Sequence, residues 1–293
     1  MSENNHGNSR RNLSDEFAAL LGRADNLRRH MIQMASNLGQ GYLGQGLGIA
    51  DAMAALYFHE MRYSPDDPND PNRDRFVLST GHYSIALWAA LLECGILPMN
   101  EINTYGADDS RLDMSTLATT PGVEITGGSL GHGLGQAAGM AMALRLQGRP
   151  SRVFVELSDG ELQEGSTWEA AMACGHFGLD NLVALNDCNG IQADGPIVLD
   201  MEPVADKWRA FGWHVQEING NDLGAVVDAL AAAREPKGQP HVIVLRTTPG
   251  KGVPTLEQRE RSHFIRIDRE EFAALRDEFE TECQRRNQLE QVS

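Results

Sequence analysis

The sequence lacks the features that mark membrane and secreted proteins. No run of roughly 18 or more apolar residues occurs in its 293 residues, which argues against a membrane-spanning helix. The first twelve residues, MSENNHGNSRRN, are polar and do not contain the apolar core of a secretory signal. These two absences predict a cytoplasmic protein with no membrane partner.

Positive charge is also in deficit. The chain has 25 Lys and Arg against 41 Asp and Glu, a formal net charge of −16. This balance argues against a nucleic-acid backbone or an anionic lipid surface as the main partner. A small anionic ligand is still compatible with it, because local amides, a metal ion and a few side chains are enough to hold one.

Cysteine is scarce and scattered. The four cysteines, Cys94, Cys174, Cys188 and Cys283, stand far apart and include no CxxC pair. Such spacing matches neither a zinc site nor a disulfide framework. Reduced thiols in a reducing compartment are therefore expected.

Apolar periodicity predicts how the chain is organised. Residues 1–12 are expected to form a disordered lead, residues 13–285 a single domain and residues 286–293 a frayed tail. Short apolar runs typical of buried strands occur at 75–79, 152–157, 181–186, 214–217 and 242–246. Helical segments separate most of these runs. This alternation predicts an α/β fold, a doubly wound parallel sheet with helices on both faces.

Two of the predicted strands end in side chains that carry oxygen. Ser158-Asp159-Gly160-Glu161 closes one strand, and Asn189 follows the next strand, thirty residues after Asp159. Parallel strands end at the same edge of a sheet, so Asp159 and Asn189 are expected to converge there. A carboxylate and an amide oxygen suit Mg²⁺, which completes its octahedron with phosphate oxygens and water. For either short motif alone, an ordinary turn or loop cap is the better interpretation.

The wider context of these two motifs favours a functional site. The run SDGELQEGSTWEAAMACGHFGLDNLVALNDCNGIQADG resembles the thiamine diphosphate signature of the transketolase family, which a GDG opens and an asparagine closes. LSTGH at 78–82 is similar to the histidine loop of that family, PGVEITGGSLGHGLG at 121–135 to its glycine loop, and RTTPGKGV at 246–253 to its late strand-loop. Together these matches cover most of residues 13–268 in the family's order. The resemblance implies the diphosphate-binding domain of the thiamine diphosphate-binding fold.

The resemblance also implies roles for individual residues. The metal ligands would be Asp159, Asn189 and the backbone carbonyl of Ile191, holding Mg²⁺ or another divalent cation such as Ca²⁺ or Mn²⁺. The cofactor thiamine diphosphate would be bound by Gly128, Ser129, Leu130, Asp159, Gly160, Glu161, Asn189 and His82.

Four residues correspond to catalytic positions of the family. His82 and His263 would contact the diphosphate or the reacting carbons of the substrate. Glu164 and Glu169 match glutamates that lie near the subunit interface and link two active sites. For the two glutamates, a solvated first turn of a helix is the alternative interpretation.

Histidines are missing at two places where the family has them. Tyr42 and Leu43 occupy the positions of a histidine and a proline in an early glycine-rich loop of the family. Met114 and Ser115 stand where the family has a second histidine that contacts the substrate. In the family these histidines handle hydroxyl groups of the sugar donor, so the donor here is in question. Ser158 replaces the first glycine of the GDG motif, which is acceptable if its φ is negative.

The resemblance further implies a partner chain. In the family, a glutamate from a second domain hydrogen-bonds the aminopyrimidine ring of the cofactor, and this chain ends at about the point where that domain would begin. The expectation is a split enzyme, in which two such chains assemble with two carboxy-terminal transketolase-like subunits that carry the pyrimidine-binding domain.

Three functions are compatible with these observations. The first is transfer of a two-carbon ketol unit from a ketose phosphate to an aldose phosphate. The second keeps the cofactor but uses a 2-oxo acid as donor, which the four replaced positions favour. The third is a non-catalytic scaffold, against which the intact Asp159, Asn189, His82 and His263 argue.

Overall fold

A computed structural model of the chain describes residues 4–193, 195–235 and 238–290. Its strands are β1 (Gln40–Gly41), β2 (Arg75–Leu78), β3 (Val153–Ser158), β4 (Leu182–Cys188), β5 (Ile191–Gln192), β6 (Gly195–Pro196), β7 (His214–Asn219), β8 (His241–Arg246) and β9 (Ile265–Arg266). Its α-helices are α1 (Asn4–Leu38), α2 (Leu43–Gly48), α3 (Ala50–Ala55), α4 (Ser84–Glu93), α5 (Gly133–Leu146), α6 (Gly165–His176), α7 (Val204–Ala210), α8 (Leu223–Ala232), α9 (Pro254–Glu257) and α10 (Arg269–Glu290). A π-helical turn extends α3 over Leu56–Glu60, and 3₁₀ turns lie at Gly81–Tyr83, Met99–Thr104 and Gly160–Gln163.

A parallel five-stranded sheet forms the centre of the domain, in the order β2-β3-β4-β8-β7. Every residue of β3 and β4 is buried, which is typical of parallel strands covered on both faces. The predicted doubly wound parallel sheet is confirmed. Each of the five predicted strands lies within two residues of its observed bounds at both ends.

Helices cover both faces of this sheet and create two apolar cores. Successive side chains of a strand point to opposite faces. Phe76 and Phe154 accordingly join a core that includes residues of α1, α3, α4 and α8. Their neighbours Val77 and Val155 join a second core with residues of α5, α6 and α7. The strand ends that carry the candidate site are thus fixed by packing on both sides.

A small antiparallel ribbon lies outside the main sheet. It pairs β1 with β9, with Gln40 opposite Arg266 and Gly41 opposite Ile265. The glycine-rich stretch after it is the helix α2. A Cβ added to Gly44 would lie only 2.2 Å from the carbonyl oxygen of Ser262, so glycine here permits close contact between two backbones. This contact brings the beginning of α2 against the segment that carries His263.

The two terminal helices extend further than the composition predicts. Helix α1 begins at Asn4, inside the segment 1–12 that was expected to be a disordered lead, and residues 1–3 lie outside the described residues. Helix α10 continues to Glu290, and residues 291–293 lie outside the described residues. Once a helix is nucleated, each further residue adds a hydrogen bond at low cost, which explains the extension. The order of both ends in solution stays a prediction.

The long helices of this fold are polar. Helix α1 spans 35 residues and α10 spans 22, yet in the part of the chain that the structure describes no helix is both long and apolar enough to cross a bilayer. The four cysteines, all within the described residues, form no disulfide.

Candidate active site

A buried carboxylate marks the carboxyl end of β3. The main-chain amide of Asp159 donates to the carbonyl of Asp187 at 2.8 Å, which continues the pairing of β3 with β4. The Asp159 carboxylate accepts hydrogen bonds from the amides of Gly160 at 2.8 Å and Gly190 at 2.7 Å. Burial raises the pKa of the Asp159 carboxyl to about 7, and the nearby charge of Asp187 adds to the increase. The structure therefore brings Asp159 into direct contact with the loop that carries Asn189.

The carboxamide of Asn189 has a defined orientation. Its nitrogen donates to Asp187 Oδ2 at 2.8 Å and to the hydroxyl of Tyr83 at 2.9 Å, and that hydroxyl donates to the same Asp187 oxygen at 2.8 Å. An ionised carboxylate accepts only, so its contact identifies the nitrogen end of the amide. The oxygen Oδ1 accepts from the amide of Ile191 at 3.0 Å. The network leaves Oδ1 as the Asn189 atom available to a cation.

Asp187 contacts the candidate site residue Asn189, although it was not among the residues predicted from sequence. It is fully buried in β4 and also accepts a hydrogen bond from the Thr247 hydroxyl. Burial raises the pKa of the Asp187 carboxyl to about 6, although the three hydrogen bonds oppose the increase. Its signal in the sequence is a carboxylate inside the otherwise apolar run LVALNDC, because charged side chains are rarely buried without partners.

Glu161, a predicted cofactor-binding residue, hydrogen-bonds to the protein itself. Its carboxylate is fully buried and accepts from the amide of Gly131 at 2.6 Å, from the hydroxyl of Thr80 at 3.3 Å and from the hydroxyl of Ser79. Burial raises the pKa of this carboxyl. Glu161 thus ties the glycine loop before α5 to the end of β2.

A 3₁₀ turn separates β3 from helix α6. The amides of this turn are already bonded: Gly160 donates to its neighbouring Asp159, and the Glu161 amide donates to the hydroxyl of Ser158 at 3.3 Å. Among the described residues, the non-glycine residues with positive φ are Asp109 and Ala193. Ser158 therefore has the negative φ that its place in the motif requires, and its hydroxyl caps the turn.

A cavity of about 490 Å³ opens at this edge of the domain. Its lining residues come from four distant parts of the chain and are Tyr42, His82, Asp113, Met114, Ser115, Gly128, Phe264 and Arg266. Two of them, His82 and Gly128, are predicted cofactor-binding residues. Three others, Tyr42, Met114 and Ser115, are positions at which the expected histidines are replaced. The structure thus gathers both sets around one space.

The rings of Tyr42, His82 and Phe264 line this cavity, and the His263 ring, which is not among the lining residues, packs against Tyr42 and His82. The ring centroids of His82 and His263 lie 5.0 Å apart, and the Tyr42 ring lies 4.8 Å from His82 and 5.3 Å from His263. Phe264 continues the row, 4.8 Å from Tyr42. Burial lowers the pKa of the His82 imidazole to about 3, and His263 contributes to the decrease. At neutral pH, His82 is therefore a neutral ring with one donor and one acceptor nitrogen.

The glycine loop approaches the histidine loop closely. A Cβ added to Gly81 would lie 2.3 Å from the amide nitrogen of Gly128, so no larger residue fits at Gly81 without moving the backbone. Gly128 itself has a φ of +123°, a conformation that favours glycine. These two glycines allow the loops to meet at the cavity.

Of the twelve predicted site residues, only His82 and Gly128 line this cavity; among the other ten, four also lie away from the strand-end contacts and ring contacts described above. Ser129, Glu164 and Glu169 are exposed, and Leu130 is partly buried. Glu164 precedes α6 and Glu169 lies on it. Their predicted roles toward the cofactor and a second active site stay predictions.

The available donors at the strand ends define which metal ions fit. Within the described residues, no group of three or more His, Cys, Asp and Glu side chains is arranged to hold a metal ion. A cation here would instead use the Asp159 carboxylate, the Asn189 carboxamide oxygen and the main-chain carbonyl of Ile191. These are hard oxygen donors, which suit Mg²⁺, Ca²⁺ or Mn²⁺ and leave coordination positions for phosphate oxygens and water. The residues therefore fit a divalent cation that carries a diphosphate.

The sequence matches one family model along most of its length. Residues 22–291 match the model described as the transketolase thiamine diphosphate binding domain.

Similar proteins include bacterial transketolase subunits. A transketolase family protein of Sinorhizobium fredii is 56% identical over 255 residues, which cover 86% of this chain and 91% of that protein. The 6-deoxy-6-sulfo-D-fructose transketolase subunit of a Clostridium species is 38% identical, covering 92% of this chain and 99% of that one. One of the apulose-4-phosphate transketolase subunits of Actinobacillus succinogenes is 38% identical, covering 82% and 88%.

Solved transketolases share the fold. The enzyme from Leishmania mexicana superposes with a TM-score of 0.83 at 31% identity, covering 89% of this chain and 41% of that one. The enzyme from Campylobacter jejuni superposes with a TM-score of 0.80 at 28% identity, covering 92% of this chain and 48% of that one. The chain thus spans less than half the length of these solved enzymes.

Proposed function

This chain belongs to the transketolase thiamine diphosphate-binding domain family, and from that premise we propose that it is one subunit of a split transketolase. The reaction is the transfer of a two-carbon ketol unit from a ketose donor to an aldose acceptor. Relatives that are named as transketolase subunits support ketol transfer over the use of a 2-oxo acid donor.

A partner chain is part of this proposal. The chain covers 99% of the Clostridium subunit and 88% of the A. succinogenes subunit, but 41% of the L. mexicana transketolase. The partner carries the pyrimidine-binding domain, and two copies of each chain form a heterotetramer. The exposed Glu164 and Glu169 lie at the interface that links two active sites. The free thiols of the four cysteines agree with assembly in the cytoplasm.

The chain holds the diphosphate end of thiamine diphosphate through a divalent cation. The cofactor, when bound, supplies a carbon nucleophile that protein side chains do not offer. Asp159, Asn189 and the carbonyl of Ile191 bind the cation, and Gly160 leaves space for the diphosphate beside the backbone. The observation that carries this proposal is the fixed carboxamide of Asn189, whose oxygen is left for a cation beside the buried carboxylate of Asp159.

The two histidines act on the donor or the diphosphate. The ring of His82, which lines the cavity, lies 5.0 Å from the ring of His263, so that one small ligand can reach both. The neutral ring of His82 accepts one hydrogen bond and donates another, which positions a hydroxyl or carbonyl oxygen without adding charge. Gly128 presents its backbone to the same space.

Calorimetric titration of thiamine diphosphate and Mg²⁺ tests this function. The wild-type chain, with its partner chain, should bind the cofactor only when Mg²⁺, Ca²⁺ or Mn²⁺ is present. Asp159→Asn keeps the size of the side chain and removes its charge, and it should weaken cofactor binding by at least about 100-fold. Loss of a residue that only hydrogen-bonds to a metal ligand already lowers metal affinity by about 10–100-fold. Asp228→Asn is the matched control, because Asp228 is exposed on α8.

Three results would contradict the proposal. Binding that persists with a chelator rules out the metal bridge. Equal affinity of the Asp159→Asn and wild-type chains rules out this strand end as the site. Ketol transfer by this chain without a partner chain rules out the split enzyme.

A further inference from the structure

Arg266 is a cation without a carboxylate partner among the described residues of an acidic protein. The chain has a net charge of −16, and Arg259 in the same segment pairs with Glu271, whereas Arg261 and Arg269 form no ion pair with a described residue and lie outside the cavity lining. Arg266 forms no ion pair with any described residue. Its guanidinium lies over the ring of Phe264, 5.1 Å from the centroid, and it lines the cavity. Such a cation is available to an anionic ligand.

The backbone pairing of the ribbon and the contact with Phe264 place this exposed guanidinium on the side of the cavity that Tyr42 lines. Arg266 lies in the β1–β9 ribbon, where it is opposite Gln40. Gln40 is two residues before Tyr42 in the sequence. From His82 the row continues through Tyr42 at 4.8 Å and Phe264 at 4.8 Å to the guanidinium at 5.1 Å. A guanidinium stacked on an aromatic face presents a planar fork of donors, which suits a tetrahedral oxyanion.

Ser115 provides a second, independent sign of a ligand. Its hydroxyl oxygen is buried and has no hydrogen-bond partner among the described residues. A Cβ added to Gly81 would lie 2.8 Å from this oxygen, and one added to Gly128 would lie 3.4 Å away, so the hydroxyl lies against both the histidine loop and the glycine loop. Leaving such a group unsatisfied costs about 1–3 kcal/mol, which a ligand hydroxyl would recover.

The remaining lining fits a polyhydroxylated chain. Asp113 is exposed, forms no ion pair with Arg266, and offers acceptors for hydroxyl groups. Tyr42 and Met114 contribute apolar surface beside it. The cavity therefore presents the His82 imidazole, the rings of Tyr42 and Phe264 and the guanidinium of Arg266.

We infer that Arg266 binds a terminal tetrahedral oxyanion of the donor, a phosphate or a sulfonate, while Tyr42 and Ser115 contact the carbon chain and its hydroxyls. The inference rests on the proposed function and adds a donor determinant that this chain itself supplies. It also gives a purpose to the two positions at which the expected histidines are replaced.

A matched series of donors tests this inference in the reconstituted complex with its partner chain, thiamine diphosphate and Mg²⁺. D-fructose 6-phosphate, 6-deoxy-6-sulfo-D-fructose and D-fructose share one skeleton and differ only at the terminal group. Arg266→Ala should raise the KM of the accepted charged donor by roughly 10–100-fold, as expected for a charge-assisted hydrogen bond, with little change in kcat. The KM of D-fructose should not change, and Arg266→Lys should restore part of the loss.

Arg261→Ala is the control variant, because Arg261 is exposed, lies in the same segment and is outside the cavity lining that the structure describes. Comparison of the two charged donors shows whether phosphate or sulfonate is the natural group. Calorimetric binding of the same sugars to the wild-type and Arg266→Ala chains gives a second readout that needs no turnover.

Two outcomes would overturn the inference. The first is an equal rise in KM for charged and uncharged donors in Arg266→Ala, and the second is an equal effect of Arg261→Ala. Either result, obtained with normal affinity for thiamine diphosphate, rejects the role of Arg266 and leaves the proposed function intact. If the wild-type complex did not bind thiamine diphosphate, that result would instead reject the proposed function.

Discussion

Removal of one hydroxyl group should release Asn189 from its fixed orientation. The hydroxyl of Tyr83 donates to Asp187 at 2.8 Å and accepts from the Asn189 carboxamide at 2.9 Å. Tyr83→Phe keeps the buried ring and removes both hydrogen bonds. Asn189 then keeps its contact with Asp187 but loses the second acceptor that prevents its amide from rotating.

The expected magnitude follows from the two bonds. A hydrogen bond to a charged group contributes about 1.5–3 kcal/mol, so the free energy of unfolding should fall by roughly that amount. Groups that orient a metal ligand are worth about 10–100-fold in metal affinity. Metal-dependent binding of thiamine diphosphate should therefore weaken by about 10–100-fold, with the ring packing unchanged.

Calorimetry and denaturant unfolding measure the two effects separately. Tyr63→Phe is the matched control, because the Tyr63 hydroxyl is buried without a hydrogen-bond partner among the described residues. A double-mutant cycle with Asn189→Ala gives the sharper test. If Tyr83 acts through Asn189, then Tyr83→Phe should have little further effect on cofactor affinity when Asn189 is already alanine.

Two results would refute the reasoning. One is full cofactor affinity in Tyr83→Phe despite a measurable loss of stability. The other is an additive loss of affinity in the double variant, which would show that Tyr83 does not act through the carboxamide of Asn189.

Two further predictions concern the cavity wall. Gly44→Ala would place a Cβ 2.2 Å from the carbonyl oxygen of Ser262, so the backbone before His263 must move. Denaturant unfolding should show that the free energy of unfolding falls by about 1–3 kcal/mol. An unchanged free energy of unfolding would contradict the close contact. The pKa of His82 is about 3 in the folded chain against 6.5 for an ordinary histidine, so the unfolded state binds more protons between these values. The contribution of His82 to stability should be constant above pH 6.5 and fall as pH decreases toward 3; an NMR titration midpoint of His82 above about 5 would contradict it.

The strands of the main sheet were predictable because their signal is local. The runs that became β3 and β4 are apolar throughout, and burial on both faces of a parallel sheet requires that. The prediction that Asp159 and Asn189 lie at neighbouring strand ends followed from another simple rule, that parallel strands end at the same edge of a sheet. Local sequence therefore predicted both the sheet and the edge at which Asp159 and the Asn189 loop meet.

The wall of the cavity was not predictable in the same way. The strands of the β1–β9 ribbon, Gln40–Gly41 and Ile265–Arg266, are too short for any periodicity, and their pairing depends on the fold of everything between them. Glu161 follows the Asp-Gly pair in sequence, and its spacing did not reveal that its side chain faces inward to the loops beside it; its contact with the cofactor stays a prediction. A buried carboxylate finds its partners through tertiary contacts, which spacing along the chain does not reveal.

The β1–β9 ribbon also sets the order in which parts of the domain can form. Its pairing of Gln40 with Arg266 joins segments that are separated by most of the chain, whereas β2, β3 and β4 require only the first two thirds. Contacts of high sequence separation form late, and a chain made on a ribosome folds from its amino-terminal side. The strand edge with Asp159 and Asn189 can therefore assemble during synthesis, before Arg266 has been added. The cavity that Phe264 and Arg266 line closes only when the last tenth of the polypeptide arrives, so a truncated product would keep the strand edge with Asp159 and Asn189 but not the complete cavity.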